Sequence, residues 1–585
     1  LFHKQSRVTP FPARPKNISN YTRINWPSFK QWSNITKVLS LKEKILFFFF
    51  VALFVGSLAA WGLFFYLSKT NAVPAYGGEY IEGIVGQPQH LNPVIAPSNN
   101  ADDDITQLVY SGLLKYDPKS NLENDLAESY EISDDKMLYT FHLRRDVFWH
   151  DGRPLTAQDV LFTVNLITDP AYKSPLRYNW QGIETNLVDD YTITFGVKNP
   201  YVGLLNNFTF GILPKHIWES ISPDQFPLAD INLTPIGTGP YKYSSHQKDS
   251  GGNIISYKLS ANPGYYGGKP YISKITFDFY PDDDSILAAY NKKEIMGINS
   301  LSPQKTDRIK LQQSTSLHKF KISRYFAVFF NQTKSIPLAT DEVREALSYA
   351  TDREEIINKI LNGNGNPIYA PILPGMVGYS DDIEKRPFDL EKADKILDDA
   401  GWTRGEDGVR KKNGVPLEIN LATTDWDELR QTAEMIKEQW EKIGARVNLN
   451  ILSVSDIQQN YIRPREYEAL LFGQVLGADP DPYSFWHSTQ KKDPGLNLSF
   501  FGDNKADSLI EAGRAEFDGA KRADIYKEFQ QIVTKENPAV FLYSPDYIYP
   551  ANKKVRGLDT EVLVSPARRF SDANHWYIKT KRIWK

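Results

Sequence analysis

The sequence predicts a mixed α/β (α+β) globular part of several lobes, set behind one transmembrane helix. Three observations predict it: the length and apolar content of the chain, a charge-free run near its N-terminus, and an alternation of strand-like and helix-like patterns from residue 76 onward. With 585 residues, 41% of them hydrophobic, the chain exceeds what one core ordinarily organises. Its net charge of −3 does not supply the broad basic face of a nucleic-acid binder, and no nucleic-acid partner is expected.

That small total hides an asymmetry. Nine Lys or Arg and one acid, Glu43, precede residue 45, whereas the rest of the chain carries 59 basic against 70 acidic groups. Between the two lie Ile45 to Leu67, 23 positions without a charge. As a helix rising ~1.5 Å per residue this run reaches roughly 35 Å, enough to cross a hydrocarbon layer of about 30 Å. Val73 and Ala75 fit the small-residue positions of a signal-peptidase site before Tyr76. The run is longer than a signal core of about 7 to 15 residues and follows a long leader, so an uncleaved anchor is the favoured reading. The basic flank then places the N-terminus in the cytoplasm and everything after residue 68 outside the cell membrane.

Residues 1–44 are basic and carry Pro10, Pro12, Pro15 and Pro27. They read as a disordered cytoplasmic tail, either near anionic headgroups or simply solvated. The first residue is not Met, and an upstream start is expected. Residues 68–75 read as a linker of at most roughly 28 Å, which keeps the globular part close to the bilayer.

From Tyr76, Tyr139 to Leu143, Tyr191 to Val197 and Ile272 to Tyr280 have the alternation of strands. Asp151-Gly152 marks a turn. Thr156 reads as an N-cap with Asp159 at the third helical position. Val343, Ala346, Leu347 and Ala350 follow a helical period after Thr340 and Asp341. A further helix runs from near Asp389 to Ala400 and stops at Gly401. Another buries Leu429, Ile436, Trp440 and Ile443, ends at Gly444 and leads into the alternating strand of Val447, Leu449 and Ile451.

Local catalytic signatures are missing. The chain has no HExxH, GxSxG or GxxxxGK[ST]. Gly237-Thr238-Gly239-Pro240 reads as a turn, because Pro240 and Tyr241 stand where a phosphate loop needs Lys and a hydroxyl. With no cysteine at all, thiol catalysis, disulfides, zinc–thiolate sites and a lipid-bearing cysteine are excluded. The histidines are scattered, His150 beside Asp151 is better explained by the turn, and no metal or cofactor is expected. The acidic triplets Asp102 to Asp104 and Asp282 to Asp284 read as caps or solvated turns.

Several stretches resemble the family-5 extracellular solute-binding proteins, the dipeptide and oligopeptide receptors of ABC importers. Residues 126 to 164, LAESYEISDDKMLYTFHLRRDVFWHDGRPLTAQDVLFTV, are similar to the family signature almost throughout. Ile236 to Tyr241, FNQTKSIPLATDEVREALSYATDREEI from Phe330, and residues 434 to 485 follow in the family's order. The resemblance covers about residue 79 to the C-terminus. It implies a two-lobed hinged clamp of the periplasmic-binding-protein kind with an extra subdomain. On it we expect a discontinuous lobe I at 76–112, 231–325 and 541–585, the extra subdomain at 113–230 and the far lobe at 326–540.

The resemblance also points to ligand-binding residues. Gly477 to Pro482 is similar to the segment where peptide receptors set an aspartate against the peptide's α-ammonium, which implicates Asp479. A cation taken out of water between closing lobes needs such a fixed opposite charge. The plainer reading is that Asp479 and Asp481 are turn residues preset by their prolines. Tyr483 and Trp486 are candidates to wall the cleft, although packing beneath the turn suits Trp486 better, and Arg463 is a candidate partner for a carboxylate. The implied function is peptide capture without chemistry, by a monomer that delivers its ligand to an ABC-type permease. A sugar or metal-chelate receptor is the alternative within the fold, and an anchored hydrolase or a scaffold the alternative outside it.

Overall fold

The computed structural model describes residues 28–32, 34, 37, 39–95 and 99–585. Most of the basic tail therefore lies outside the described residues. The chain divides into two compact units, Leu1–Val73 with Lys581–Lys585, and Pro74–Thr580.

In the first unit, helix α1 (Leu41–Lys69) contains the whole charge-free run and extends beyond it at both ends. Ser40 and Glu43 explain the earlier start. The Glu43 carboxylate accepts hydrogen bonds from the Ser40 N–H at 2.8 Å and hydroxyl at 2.7 Å, a capping box that sets the first turn before the apolar run begins. None of its residues is buried, so the helix presents apolar side chains all round, and it is long and apolar enough to cross a membrane. The expected linker is partly a strand, because Thr70–Ala75 pairs with Lys579–Trp584. Arg582 cements this pairing by donating to Thr70 Oγ1 at 2.7 Å, to Thr70 O at 2.8 Å and to Leu67 O at 3.0 Å, filling acceptors that a helix end leaves open. Residues 581–585 thus cluster with the anchor unit, whereas the sequence reading put them in lobe I.

The second unit is built on one mixed sheet joining thirteen strands among the described residues. Strand β1 (Glu79–Val85) runs parallel to Lys274–Tyr280 in one half of it. Helix α2 (Asn100–Val109) packs nearby and is capped by Asn99, whose side chain accepts from the Ala101 and Asp102 N–H groups. A separate four-stranded antiparallel sheet, in the order 127–132, 138–143, 192–196, 184–189, carries the helix Ala157–Thr168. Thr156 and Asp159 form the expected capping box, with the Thr156 N–H donating to Asp159 at 2.9 Å.

Strands β2 (Thr315–Ile322) and β3 (Arg324–Phe330) are separated only by Ser323 and run antiparallel to one long strand. In the second half of the sheet, helix α3 (Asp427–Lys442) buries Leu429, Ile436 and Trp440 and is followed by Gly444 at φ +82°, then by the strand Arg446–Leu452. Strand β4 (Ala469–Val475) pairs with β3, and helix α4 (Gly519–Glu536) leads into the long strand, β5 (Ala539–Asn552).

Strand β5 connects the two halves. Its first part pairs with β3, Phe329 opposite Ala539, and its second part with β2, Thr315 opposite Asn552. The two halves are thus joined by adjacent extended segments that cross at Ser323 and at Ser544-Pro545. At the crossing Ser544 Oγ donates to Arg324 O at 2.8 Å, and Lys321 Nζ lies 2.7 Å from Asp546 Oδ1.

Candidate functional site

The turn that carries Asp479 and Asp481 follows β4. Asp479 accepts two hydrogen bonds of 2.6 Å from the Arg522 guanidinium of α4 and one of 3.0 Å from the Asp481 N–H. Arg522 is held from behind, donating to Gly513 O at 2.8 Å and to the Tyr526 hydroxyl at 3.1 Å. This bidentate pairing is the strongest geometry a carboxylate and a guanidinium can make. Asp481 accepts from the Tyr201 hydroxyl at 3.1 Å and lies 3.1 Å from Arg514 Nε. Burial pushes the Asp481 carboxyl above its ordinary range, and Arg514 opposes that shift.

The other implicated residues have different surroundings. Tyr483 sits at this surface, its ring 4.3 Å from the Arg514 guanidinium, which lies 4.4 Å from the Tyr201 ring. Trp486 is buried in the core beneath the turn against Phe329, Phe501 and Phe541. Arg463 is exposed at the end of the helical turn Ile457–Ile462. The structure therefore sets Tyr483 against the Arg514–Asp481 pair and Asp479 against Arg522, buries Trp486 in the core and leaves Arg463 exposed.

A cavity of about 280 Å³ is lined by α2 and its continuation, by the loops around 176–180 and 206–211, and by residues 565–571, and two of its lining residues, Asn206 and Arg568, hold Tyr116. The Tyr116 hydroxyl donates to Asn206 at 2.7 Å, and the Arg568 guanidinium stands 5.2 Å from its ring. Burial pushes the Tyr116 phenol up to about 12, with Arg568 opposing and the charge of Asp479 adding to the rise. Asp479 thus acts electrically on a residue that adjoins the cavity.

Glycines let backbone segments press together beside the cavity. Gly112 lines it where a Cβ would stand 2.8 Å from the backbone oxygens of Phe208 and Phe210. At Gly237 a Cβ would stand 2.0 Å from Val109 O, so only glycine lets the 236–241 turn press against the end of α2. His150 braces the turn, accepting at Nδ1 from the Gly237 N–H at 3.2 Å, and burial pushes its imidazole down to about 4. A neutral, doubly bonded His150 is a structural brace, consistent with the turn reading of this segment.

Polar groups in the cavity are poorly matched. Thr106 Oγ1, Tyr110 OH and Ser571 Oγ are buried with no hydrogen-bond partner among the described residues. The only hydrogen bond of the Arg568 side chain among those residues is one of 3.4 Å to Thr209 O. Burial depresses the Arg568 pKa, and burial together with Asp104 pushes the Asp103 carboxyl up to about 6 against the opposing charge of Arg568. Buried polar groups are normally satisfied, and here three open hydroxyls line one cavity with Arg568.

Sequence reading missed this cavity because its walls come from segments hundreds of residues apart. It also took Asp102 to Asp104 as caps or solvated turns, whereas Asp102 and Asp104 are fully buried and Asp103 lines the cavity. Asp102 accepts from the Gln89 and His90 N–H groups at 2.7 and 3.1 Å. Asp104 pairs with Arg569.

The family described as bacterial extracellular solute-binding proteins, family 5 Middle, matches residues 121–496. The oligopeptide-binding protein AppA of Bacillus subtilis is 30% identical over 525 residues, covering 87% of this chain and 93% of its own. The dipeptide-binding protein of Escherichia coli is 29% identical over 497 residues, covering 81% and 90%. Among solved structures, AppA from B. subtilis in complex with a nonapeptide superposes with a TM-score of 0.70 at 27% identity, covering 87% of this chain and all of that one. NikZ from Campylobacter jejuni in complex with Ni(L-His) superposes at 0.72 with 25% identity, covering 85% and 99%. With the family match spanning residues 121–496 and a relative 30% identical over 87% of the chain, the chain belongs to the family-5 extracellular solute-binding proteins.

Proposed function

We propose that this chain captures short peptides between two lobes and delivers them to an ABC-type import permease, doing no chemistry on them. Residues 76–112, 231–325 and 541–580 form lobe I, 113–230 the extra subdomain and 326–540 the far lobe, with the crossings at Ser323 and Ser544-Pro545 as the hinge. Helix α1 holds the protein in the cell membrane with its N-terminus cytoplasmic, as the basic flank favours. The binding lobes lie outside.

The observation that carries the reading is the partner-poor polar cavity, two of whose lining residues, Asn206 and Arg568, hold Tyr116, a phenol that the charge of Asp479 also reaches. A closing clamp needs such groups, because only contacts better satisfied in the closed, liganded state shift the population towards it. Asp479 receives the peptide's α-ammonium, sharing its carboxylate with Arg522, and Tyr483 walls the same end. Main-chain hydrogen bonds to an extended peptide supply most of the affinity and leave side-chain selection permissive.

Titration calorimetry of the full chain in detergent, with Ala-Ala-Ala and N-acetyl-Ala-Ala-Ala, tests this. The free peptide should bind at least about tenfold more tightly, as expected for a charge-assisted hydrogen bond, and Asp479→Asn should abolish the difference. Equal binding of both forms removes Asp479 from its role. Mass spectrometry that finds a retained metal chelate, with no heat from any peptide, would turn the assignment towards the ligand class seen in NikZ.

A further inference from the structure

The cavity is rich in donors. Arg568 offers guanidinium N–H groups of which one makes a single long hydrogen bond, and Tyr110, Thr106 and Ser571 each bring a buried hydroxyl without a partner among the described residues. Of the other charged groups lining the cavity, Lys115 lies 3.1 Å from Glu123, and Asp125 accepts a 2.5 Å hydrogen bond from Tyr266. Asp103 is the remaining charged group, and its carboxylate accepts no hydrogen bond among the described residues.

A carboxylate is an acceptor-only group with two oxygens and about four lone-pair positions. It matches a fork-shaped guanidinium that makes only one long hydrogen bond and the hydroxyls around it, whereas an ammonium would be set beside the like charge of Arg568. A neutral apolar side chain would leave every one of these groups buried and unpaired, which is costly.

We propose that this cavity is a carboxylate-binding site of the ligand, with Arg568 as its anchor and the hydroxyls of Tyr110, Thr106 and Ser571 completing the donor set. As a statement about a peptide's carboxylate it rests on the peptide reading above. The carboxylate comes either from the peptide's C-terminus or from an acidic side chain.

Asp103 fits this arrangement through its proton. Burial and its neighbours Asp104 and Asp102 already raise its pKa, against Arg568 and Arg569, and an incoming carboxylate raises it further. Lys115 and Asp125 line the same cavity and contribute opposite charges. Binding of the carboxylate therefore takes up a proton at Asp103, and affinity falls as pH rises from about 6 to 8.

Three ligands separate the sources: Ala-Ala-Ala, Ala-Ala-Ala-amide and Ala-Glu-Ala-amide, titrated into the full chain and into Arg568→Gln. The free acid should bind the native chain about 10- to 100-fold more tightly than the amide, with Arg568→Gln reducing the free acid to the level of the amide. Recovery by Ala-Glu-Ala-amide assigns the site to an acidic side chain, and lack of recovery assigns it to the C-terminus. A parallel arm requires no peptide binding. Millimolar N-acetylglycine should raise the unfolding temperature of the native chain, read by tryptophan fluorescence, but not that of Arg568→Gln, and N-acetylglycinamide should raise neither. Peptides that bind equally as acid and amide, with an N-acetylglycine shift that survives Arg568→Gln, overturn the carboxylate site and leave peptide capture standing. An Arg568-dependent shift from N-acetylglycine, with no peptide bound, does the reverse.

Discussion

Arg569 and Arg568 stand side by side in the turn Pro566–Phe570, and α2 presents Asp104 to one and Asp103 to the neighbourhood of the other. Arg569, Asp104 and Glu82 are wholly buried. The Arg569 guanidinium donates to both Asp104 oxygens, to Glu82 Oε1 at 2.9 Å and to Pro566 O at 2.8 Å. Tyr80 and Tyr549 donate to the other oxygen of Glu82, and Asn299 donates to Asp104 at 2.6 Å. Around Arg568 the same two elements leave donors open. The difference lies in hydrogen-bond completion, since both arginines are largely removed from water. A charge cluster in which, among the described residues, Arg569 Nε alone of the guanidinium nitrogens lacks a partner joins β1, α2, β5 and the C-terminal turn. The open groups of the proposed carboxylate site lie on the same two elements, α2 and the turn Pro566–Phe570, that this cluster joins.

The largest test of this contrast breaks the cluster. Arg569→Met leaves Glu82 and Asp104 buried without their counter-charge, and breaking a buried ion cluster from one side costs about 3–5 kcal/mol. Burial already pushes the Glu82 carboxyl above its ordinary range against Arg569, so the variant relieves itself by taking up a proton. Urea unfolding should show the full loss at pH 8 and a smaller one near pH 5. A loss below about 1 kcal/mol at both would mean that the cluster is replaceable and that α2 is held by apolar packing alone.

The same contrast explains what the sequence disclosed. Features carried by neighbours along the chain were legible: the charge-free run of α1, the Thr156 and Asp159 cap, the stop at Gly444 and the turn at 237–240. Each depends on backbone chemistry within a few residues. The Arg569 cluster joins residues 82, 104, 299, 549 and 569, and the cavity joins 103–115, 206–211 and 565–571. No local pattern ties these together. The resemblance led to Asp479 through its own segment, yet Arg522, 43 positions further on, became visible only in three dimensions. Strand pairing between Thr70–Ala75 and Lys579–Trp584 was hidden for the same reason, because a short polar segment reads as a linker until its distant partner is known.

On the cavity side the expected effect is smaller and of opposite sign. The Asp103 carboxyl is raised from 3.8 to about 6 in the folded chain, so folding favours its protonated form. As pH rises from about 4 to about 6, this group withdraws stability, and above about 6 its cost is fully present. Asp103→Asn should therefore stabilise the protein by about 1–2 kcal/mol at pH 7.5 and by almost nothing near pH 4. Comparing unfolding midpoints of the native chain and the variant across that range isolates this carboxyl from Asp125, which burial also holds at about 6. A variant less stable at pH 7.5 would show that Asp103 is paired in the folded state, and the cavity would lose one of its open groups.

The smallest effect belongs to the charged pair at the crossing. Lys321 Nζ lies 2.7 Å from Asp546, but the lysine is more than half exposed, so water and salt compete for it throughout. Such pairs contribute about 0.2–1 kcal/mol, against several for the Arg569 cluster. A double-mutant cycle of Lys321→Met and Asp546→Asn, measured by urea unfolding, should give a coupling within that range that fades in high salt. The position gives the small number its meaning. Residues 321 and 546 face each other across the two strands that join the halves, the place of the hinge we propose, and a hinge flexes by turning a few backbone dihedrals without breaking strong contacts. A weak, solvated pair tolerates that movement. A coupling of several kcal/mol would mark the crossing as a rigid strut, and the flexing point would then have to be sought elsewhere along β5.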